Sequence, residues 1–160
     1  MTICGCWRAI TYGKGTWILH MLRARMGDAA FLKMLASLRQ EFERKPISTE
    51  EFRAHCARFL PAAASDKKLE GFFEQWVYGT GIPRLKLSWS AKPGRVTGTV
   101  AQSGVGEDFS VEVPVDIRVG TKMIRKMVRT DNEGATFSFP TVGTATRVLL
   151  DPENSVLRKP

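Results

Sequence analysis

The sequence predicts an α+β protein in two parts: an array of about four helices over residues 1–82, then an antiparallel, Ig-like β-sandwich of six or seven strands over residues 83–160. Before Pro83, apolar residues recur at intervals of three and four, which is the period of an amphipathic helix. After Pro83 they alternate with polar residues, which is the period of a half-buried strand. The change of period places the predicted domain boundary near Pro83.

The composition indicates a folded chain with a substantial core. Of its 160 residues, 43% are hydrophobic and 25% are charged, as in ordinary globular domains. The net charge of +8 is evenly divided, since residues 1–82 and 83–160 each carry 12 Lys or Arg and 8 Asp or Glu. No basic tail or cluster stands out beyond residues 122–129, so we expect no nucleic-acid partner, although an acidic partner stays open.

Nothing in the sequence indicates a membrane partner or export. No run approaches 18 apolar residues, and the first eight residues lack the basic and long apolar regions of a signal peptide. Cys4, Cys6 and Cys56 do not make a disulfide framework, which fits a reducing compartment. The sequence therefore predicts a soluble chain of otherwise unknown localisation.

The first two predicted helices follow one another closely. Apolar residues recur at helical spacing from about Thr16 to Met26, and Gly27 is expected to end that helix. Asp28 is expected to cap the second helix, which runs from about residue 29 to residue 44. The predicted apolar stripe of the second helix comprises Phe31, Met34, Leu35, Leu38 and Phe42.

Two more helices have recognisable starts. Ser48 and Glu51 have the spacing of a capping box, which predicts a third helix that ends before Pro61. Asp66 is expected to cap a fourth helix, which Gly79 and the residues after it break. The inward residues predicted for these two helices are Phe52, Cys56, Phe59, Leu60, Leu69, Phe72, Phe73 and Trp76. His55 is expected on the surface of the third helix, and short connections favour an antiparallel array.

The second half predicts strands joined by turns. Pro93-Gly94 and Gly120-Thr121 are turn sequences between alternating segments. The longest alternation runs from residue 109 to residue 119, and Pro114 on its polar side predicts an edge strand or a bulge. Short strands of this number and spacing are typical of an antiparallel sandwich.

Four short motifs follow one another along the chain. They are Tyr12-Gly13-Lys14-Gly15, the helical Leu19-His20-Met21-Leu22-Arg23, Gly81-Ile82-Pro83 and Leu149-Leu150-Asp151-Pro152. Their order resembles the end of the M1 (gluzincin) family of zinc aminopeptidases. The first motif is similar to that family's Tyr-x-Lys-Gly segment, the second to the helix after it, and the last two to the start and closing strand of its β-sandwich.

The resemblance implies a fold and a chemical role. Residues 1–82 would form the helical C-terminal part of an M1-type catalytic domain, and residues 83–160 the following sandwich. In M1 enzymes a zinc ion, held by a His-Glu-x-x-His helix and a downstream glutamate, activates the water that attacks a peptide substrate. The Tyr-x-Lys-Gly tyrosine donates a hydrogen bond to the resulting oxyanion, and by motif that residue is Tyr12.

The sequence lacks the other parts of such an active site. It contains no His-Glu-x-x-His and no Gly-x-Met-Glu-Asn, and its two histidines are His20 and His55. Cys4, Cys6, His55 and Cys56 are zinc-type ligands, but their spacing lacks the paired form of a zinc site. We therefore expect a C-terminal fragment with no zinc of its own, inactive alone, in which Tyr12 is idle.

Other hypotheses stay open. The lack of metal ligands also suits a non-catalytic peptide- or protein-binding module, and nucleic-acid binding through residues 122–129 rests on charge alone. If the chain is a fragment, we expect an exposed apolar patch on the first two helices, through which it would self-associate.

Overall fold

The chain divides into two compact units, residues 1–80 and 81–160. The computed structural model describes residues 9–132 and 134–160. The described helices lie in the first unit and the strands in the second. This separation of helices from an antiparallel sheet confirms the predicted α+β class.

The described residues of the first unit form four α-helices and two π-helical segments. The α-helices are α1 (Gly15–Met26), α2 (Asp28–Phe42), α3 (Thr49–Ala57) and α4 (Glu70–Phe73), and the π-helical segments are Ala9–Lys14 and Glu74–Tyr78. The fourth helix is short because the chain changes to π-helical winding at Glu74. None of the described helices is long and apolar enough to cross a membrane.

The helix ends show which local signals were effective. Gly27 has a φ of 80° and donates its N–H to the Arg23 carbonyl over 2.8 Å, so it ends α1 as predicted. Asp28 does not cap α2, because its carboxylate accepts two 2.8 Å hydrogen bonds from the Arg23 side chain. The capping box is confirmed: Glu51 N–H donates to Ser48 Oγ and Ser48 N–H donates to the Glu51 carboxylate.

The buried side chains of the first unit correct two expectations. The apolar core comprises Met21, Leu22, Met26, Phe31, Met34, Cys56, Leu69, Phe72, Phe73 and Trp76. Leu35 is 37% exposed, because the buried face of α2 is centred on Phe31 and Met34. His55 is only 3% exposed, so its predicted surface position is wrong. Its ring nitrogens lie 3.2 Å from the Met34 carbonyl oxygen and 3.3 Å from a Glu41 carboxylate oxygen, and these groups replace water.

The described strands of the second unit form a single antiparallel sheet. They are β1 (Arg84–Lys92), β2 (Arg95–Ser103), β3 (Ser110–Val119), β4 (Lys122–Asp131), β5 (Gly134–Pro140) and β6 (Ala145–Leu150), in the order β1-β2-β5-β4-β3-β6. Cα atoms of the end strands β1 and β6 approach within 8 Å, so the sheet curls. The sequence predicts six or seven antiparallel strands, and six are present in the described residues. The two stacked sheets of an Ig-like sandwich are not confirmed, because all six strands share one sheet.

Both predicted turns join neighbouring strands, and Pro114 is placed differently from the prediction. Pro93-Gly94 connects β1 to β2, and Gly120-Thr121 connects β3 to β4. β3 pairs with β4 on one side and β6 on the other, so the predicted edge position is wrong. The Pro114 carbonyl accepts the Asp151 N–H just beyond the end of β6, and β6 pairing begins only at Val115. The ring nitrogen of Pro114 also faces the β6 side, where pairing with β6 has not yet begun. The missing N–H of proline therefore costs β3 no hydrogen bond to a neighbouring strand.

The sheet encloses a core made mainly of valine and phenylalanine. Its buried apolar residues are Leu85, Val96, Val100, Phe109, Val111, Val113, Val115, Ile117, Val128, Phe137, Ala145, Val148 and Val156. Gly98 of β2 allows Phe137 of β5 to lie against the backbone. A Cβ at Gly98 would lie 2.5 Å from the Phe137 ring and 2.6 Å from the Ser88 carbonyl oxygen.

Replacing Gly98 should therefore destabilise the sheet. We expect Gly98→Ala to lower the free energy of unfolding by about 1–3 kcal/mol, because Phe137 and the β1 backbone must both shift. Urea denaturation would measure the loss. Gly106→Ala is the matched control, since a Cβ there meets no atom within 4 Å, and equal losses in the two variants would contradict this account.

Candidate active site

Tyr12 lies in the π-helical segment that leads into α1, and its side chain is 69% exposed. Its backbone carbonyl accepts a hydrogen bond from the Thr16 hydroxyl in the first turn of α1. Among residues 9–132 and 134–160, no group forms a hydrogen bond with its phenol. Tyr12 thus has a fixed main chain and a phenolic O–H that faces solvent.

Lys14 has a structural partner that the sequence did not indicate. Its Nζ donates a 2.6 Å hydrogen bond to the carbonyl oxygen of Gly79, at the end of the second π-helical segment. The Gly79 N–H in turn donates to the Glu74 carbonyl over 2.8 Å. A cation is favourable at this end of a helical segment because the last carbonyl groups point toward it. Lys14 therefore ties the segment that carries Tyr12 to residues that follow α4.

An apolar depression of about 530 Å³ opens beside Tyr12. Its apolar lining is Ile18 and Leu19 of α1, Ile47 just before α3, Phe52 of α3, Phe73 of α4, and Val77 of the second π-helical segment. Leu19 and Ile47 are 39% and 37% exposed. Ile47 and Val77 do not belong to the apolar stripes that helical periodicity predicts. The sequence therefore does not predict this depression. Its volume is within the range of sites that hold a small ligand or a few side chains.

A hydrogen-bonded group holds one wall of the depression. The Tyr78 hydroxyl donates to the Glu50 carboxylate, which also accepts two bonds of 2.7 and 2.9 Å from Arg53. The hydrogen bond from Tyr78, with that from Arg53, lowers the pKa of the Glu50 carboxyl below its ordinary value. Because α3 carries Glu50, these bonds fix the start of α3 against the second π-helical segment.

Apolar side chains are also exposed on the first two α-helices, as expected for that face. Leu32 of α2 is 64% exposed, and its neighbour Leu35 and Leu19 of α1 are partly exposed. Leu32 and Leu35 are one helical turn apart, so they are adjacent on the surface. The apolar exposure is confirmed, whereas the self-association suggested for it stays a prediction.

The described residues do not fit the zinc ion that the resemblance implies. In the described ranges, no group of three or more His, Cys, Asp or Glu side chains is placed to hold a metal. The His20 ring packs edge-on against Trp17 at 5.6 Å between centroids, and the His55 ring is held by Met34 and Glu41. Cys4 and Cys6 lie outside the described residues.

Burial makes Cys56 a poor ligand and a poor nucleophile. Its thiol is fully buried, 3.9 Å from the Met34 sulfur, and burial raises the pKa of this thiol to about 12. In a Cys4→Ser/Cys6→Ser variant at pH 8, we expect Cys56 to react with Ellman's reagent only as fast as the protein unfolds. Reaction in denaturant is the control, and rapid native labelling would contradict the assignment.

Comparison with known proteins identifies a solved structure with a similar fold. No protein-family model matches the chain, and neither does any curated protein sequence. A crystal structure of Legionella pneumophila aminopeptidase A in complex with aspartic acid is similar, with a TM-score of 0.68 and 19% sequence identity. The match covers 95% of this chain and 18% of that chain, so this chain spans less than a fifth of the length of that protein. At this identity the likeness concerns the fold, and the chain has a fold related to part of an aminopeptidase.

Proposed function

We propose that this chain is the portion of an M1-like zinc aminopeptidase that carries the oxyanion-donating tyrosine, in an enzyme that removes N-terminal residues from peptides. The observation that carries the proposal is the state of Tyr12, an exposed phenol without a hydrogen-bond partner in the described residues, on a main chain held by Thr16 and Lys14. The likeness to part of an aminopeptidase and the order of the motifs support it.

The proposed role suits the chemistry of a phenol. Phenols keep their proton at neutral pH, so the O–H is available to donate to a carbonyl oxygen as negative charge develops on it. A donor of this kind contributes roughly 3–4 kcal/mol to transition-state stabilisation. The contribution depends on placement, and the bonds made by Lys14 and Thr16 keep the main chain around Tyr12 in position.

The remaining catalytic groups would come from residues outside this sequence. The 160 residues contain no His-Glu-x-x-His, and in the described residues no side-chain cluster fits a metal. We therefore propose that the chain alone does not hydrolyse peptides. The exposed Leu19, Leu32 and Ile47 support this view, because apolar surface of this extent commonly packs against another polypeptide segment.

A second candidate is a non-catalytic peptide- or protein-binding module. The apolar depression beside Tyr12 favours it, since about 530 Å³ of space lined by Ile18, Phe52, Phe73 and Val77 could accept apolar side chains. Saturable changes in the amide spectra on adding peptides, without restored hydrolysis under the conditions below, would favour this candidate.

The purified 160-residue chain should contain far less than one zinc per chain and should not hydrolyse aminoacyl p-nitroanilides. Co-expression with a polypeptide that supplies the zinc-binding part of such an enzyme should restore hydrolysis. In the restored enzyme, Tyr12→Phe should lower kcat by about 10²–10³-fold with little change in KM, because the oxyanion donor acts only in the transition state.

Tyr78→Phe is the matched control, because Tyr78 is the second of two tyrosines and is bonded to Glu50. It should change kcat by no more than a few-fold. Stoichiometric zinc with hydrolysis by the isolated chain, or equal losses of kcat in the two variants, would overturn the proposal.

A further inference from the structure

Two arginines face each other across the pairing of β3 and β6. Arg118 of β3 and Arg147 of β6 are direct register partners, and both side chains are exposed. Residues in such positions have Cβ atoms about 4.5–5.5 Å apart, and like charges there are destabilising. The register of the sheet therefore imposes a repulsive contact on the free protein.

The neighbouring arginines on this sheet are neutralised within the unit, and this pair is not. Arg125 binds the buried Asp116 carboxylate over 2.7 and 2.9 Å and also binds Glu153 over 2.8 and 3.1 Å. Across residues 9–132 and 134–160, neither the Arg118 nor the Arg147 guanidinium forms an ion pair or a hydrogen bond. Two positive charges thus remain side by side and open to solvent.

Exposed methionines lie beside this pair. Met123 of β4 is the register partner of Arg118 on its other side and is 50% exposed. Met127 follows four residues later, so it lies on the same side of the sheet, and it is 55% exposed. We call Arg118, Arg147, Met123 and Met127 the arginine–methionine face. It combines fixed positive charge with adaptable apolar surface.

We propose that the arginine–methionine face binds an acidic peptide segment of a partner protein, in which carboxylates alternate with apolar side chains. Planar guanidinium groups bind carboxylates through paired hydrogen bonds, so one or two carboxylates would bridge Arg118 and Arg147 and remove their repulsion. Separate apolar side chains of the peptide would cover Met123 and Met127, which lie on either side of Arg125 along β4. This proposal does not depend on the peptidase function proposed above.

The chemistry of the face favours a peptide over a nucleic acid. The strands β3, β4 and β6 contain no aromatic residue on which a base could stack. The carboxylate of Glu153, 68% exposed, lies on this side with Arg125, and Glu112 lies four residues before Asp116 in β3, on the same side of the strand. A continuous phosphate chain would meet these negative charges, whereas a short peptide can avoid them.

The test is the binding of a fluorescein-labelled Gly-Glu-Leu-Glu-Leu-Glu-Gly peptide to the full chain at low salt, measured by fluorescence anisotropy. Arg118→Gln/Arg147→Gln should weaken binding at least about tenfold, because both charge-assisted contacts are lost. Lys33→Gln/Arg39→Gln removes the same charge from exposed positions of α2 and should change the affinity less than about twofold. A peptide with glutamine for glutamate should not bind.

The stability of the free protein gives an independent measurement. Arg147→Gln should raise the midpoint of urea unfolding, and added salt should stabilise the wild-type chain more than this variant, because only the wild type carries the repulsion. Equal weakening by both double variants, binding of the glutamine peptide, or displacement of the acidic peptide by a lower concentration of a 12-nucleotide single strand would each overturn the proposal.

Discussion

The hydrogen bond from Lys14 Nζ to the Gly79 carbonyl determines where Tyr12 lies in the helical unit. It joins residues 65 positions apart, and it links the segment before α1 to the segment after α4. Between these ends the chain forms four helices whose buried faces build the core. The bond combines a full positive charge with carbonyl groups at a helical terminus, so it should be stronger than a bond between neutral groups.

Local signals predicted the elements of the fold well, because each depends on a few neighbouring residues. The capping box at Ser48 and Glu51, the end of α1 at Gly27 and the turn at Gly94 are signals of this kind. The failures depend on contacts that are distant in sequence. His55 is buried because Met34 and Glu41 of α2 supply its hydrogen-bond partners. Helical periodicity contains no information about contacts with another helix.

The organisation of the sheet was predictable only in part for the same reason. Alternation in a strand identifies its buried face but not its neighbours, so the strands after Pro83 were found while their single-sheet order was not. Pro114 shows how a local rule can mislead: a central strand accepts proline where the pairing with one neighbour has ended.

The candidate site was also predictable only in part, because one part of it depends on a local motif and the other on distant contacts. Tyr12 was found through its resemblance to a short motif, and its catalytic role stays a prediction. The depression beside it is lined by residues of three α-helices and of both π-helical segments, and Ile47 and Val77 lie outside any periodic apolar stripe. Only the folded arrangement brings such residues together.

The approach of β1 to β6 has a consequence for behaviour at high concentration. Where Cα atoms of β1 and β6 lie within 8 Å of each other, a strand from another molecule does not fit between them, because neighbouring strands are about 4.8 Å apart. The parallel bridge between Arg84 and Lys159 occupies part of what remains on β1. We therefore expect that aggregation of this chain, where it occurs, begins at the exposed leucines of the helical unit and does not proceed through β-strand addition.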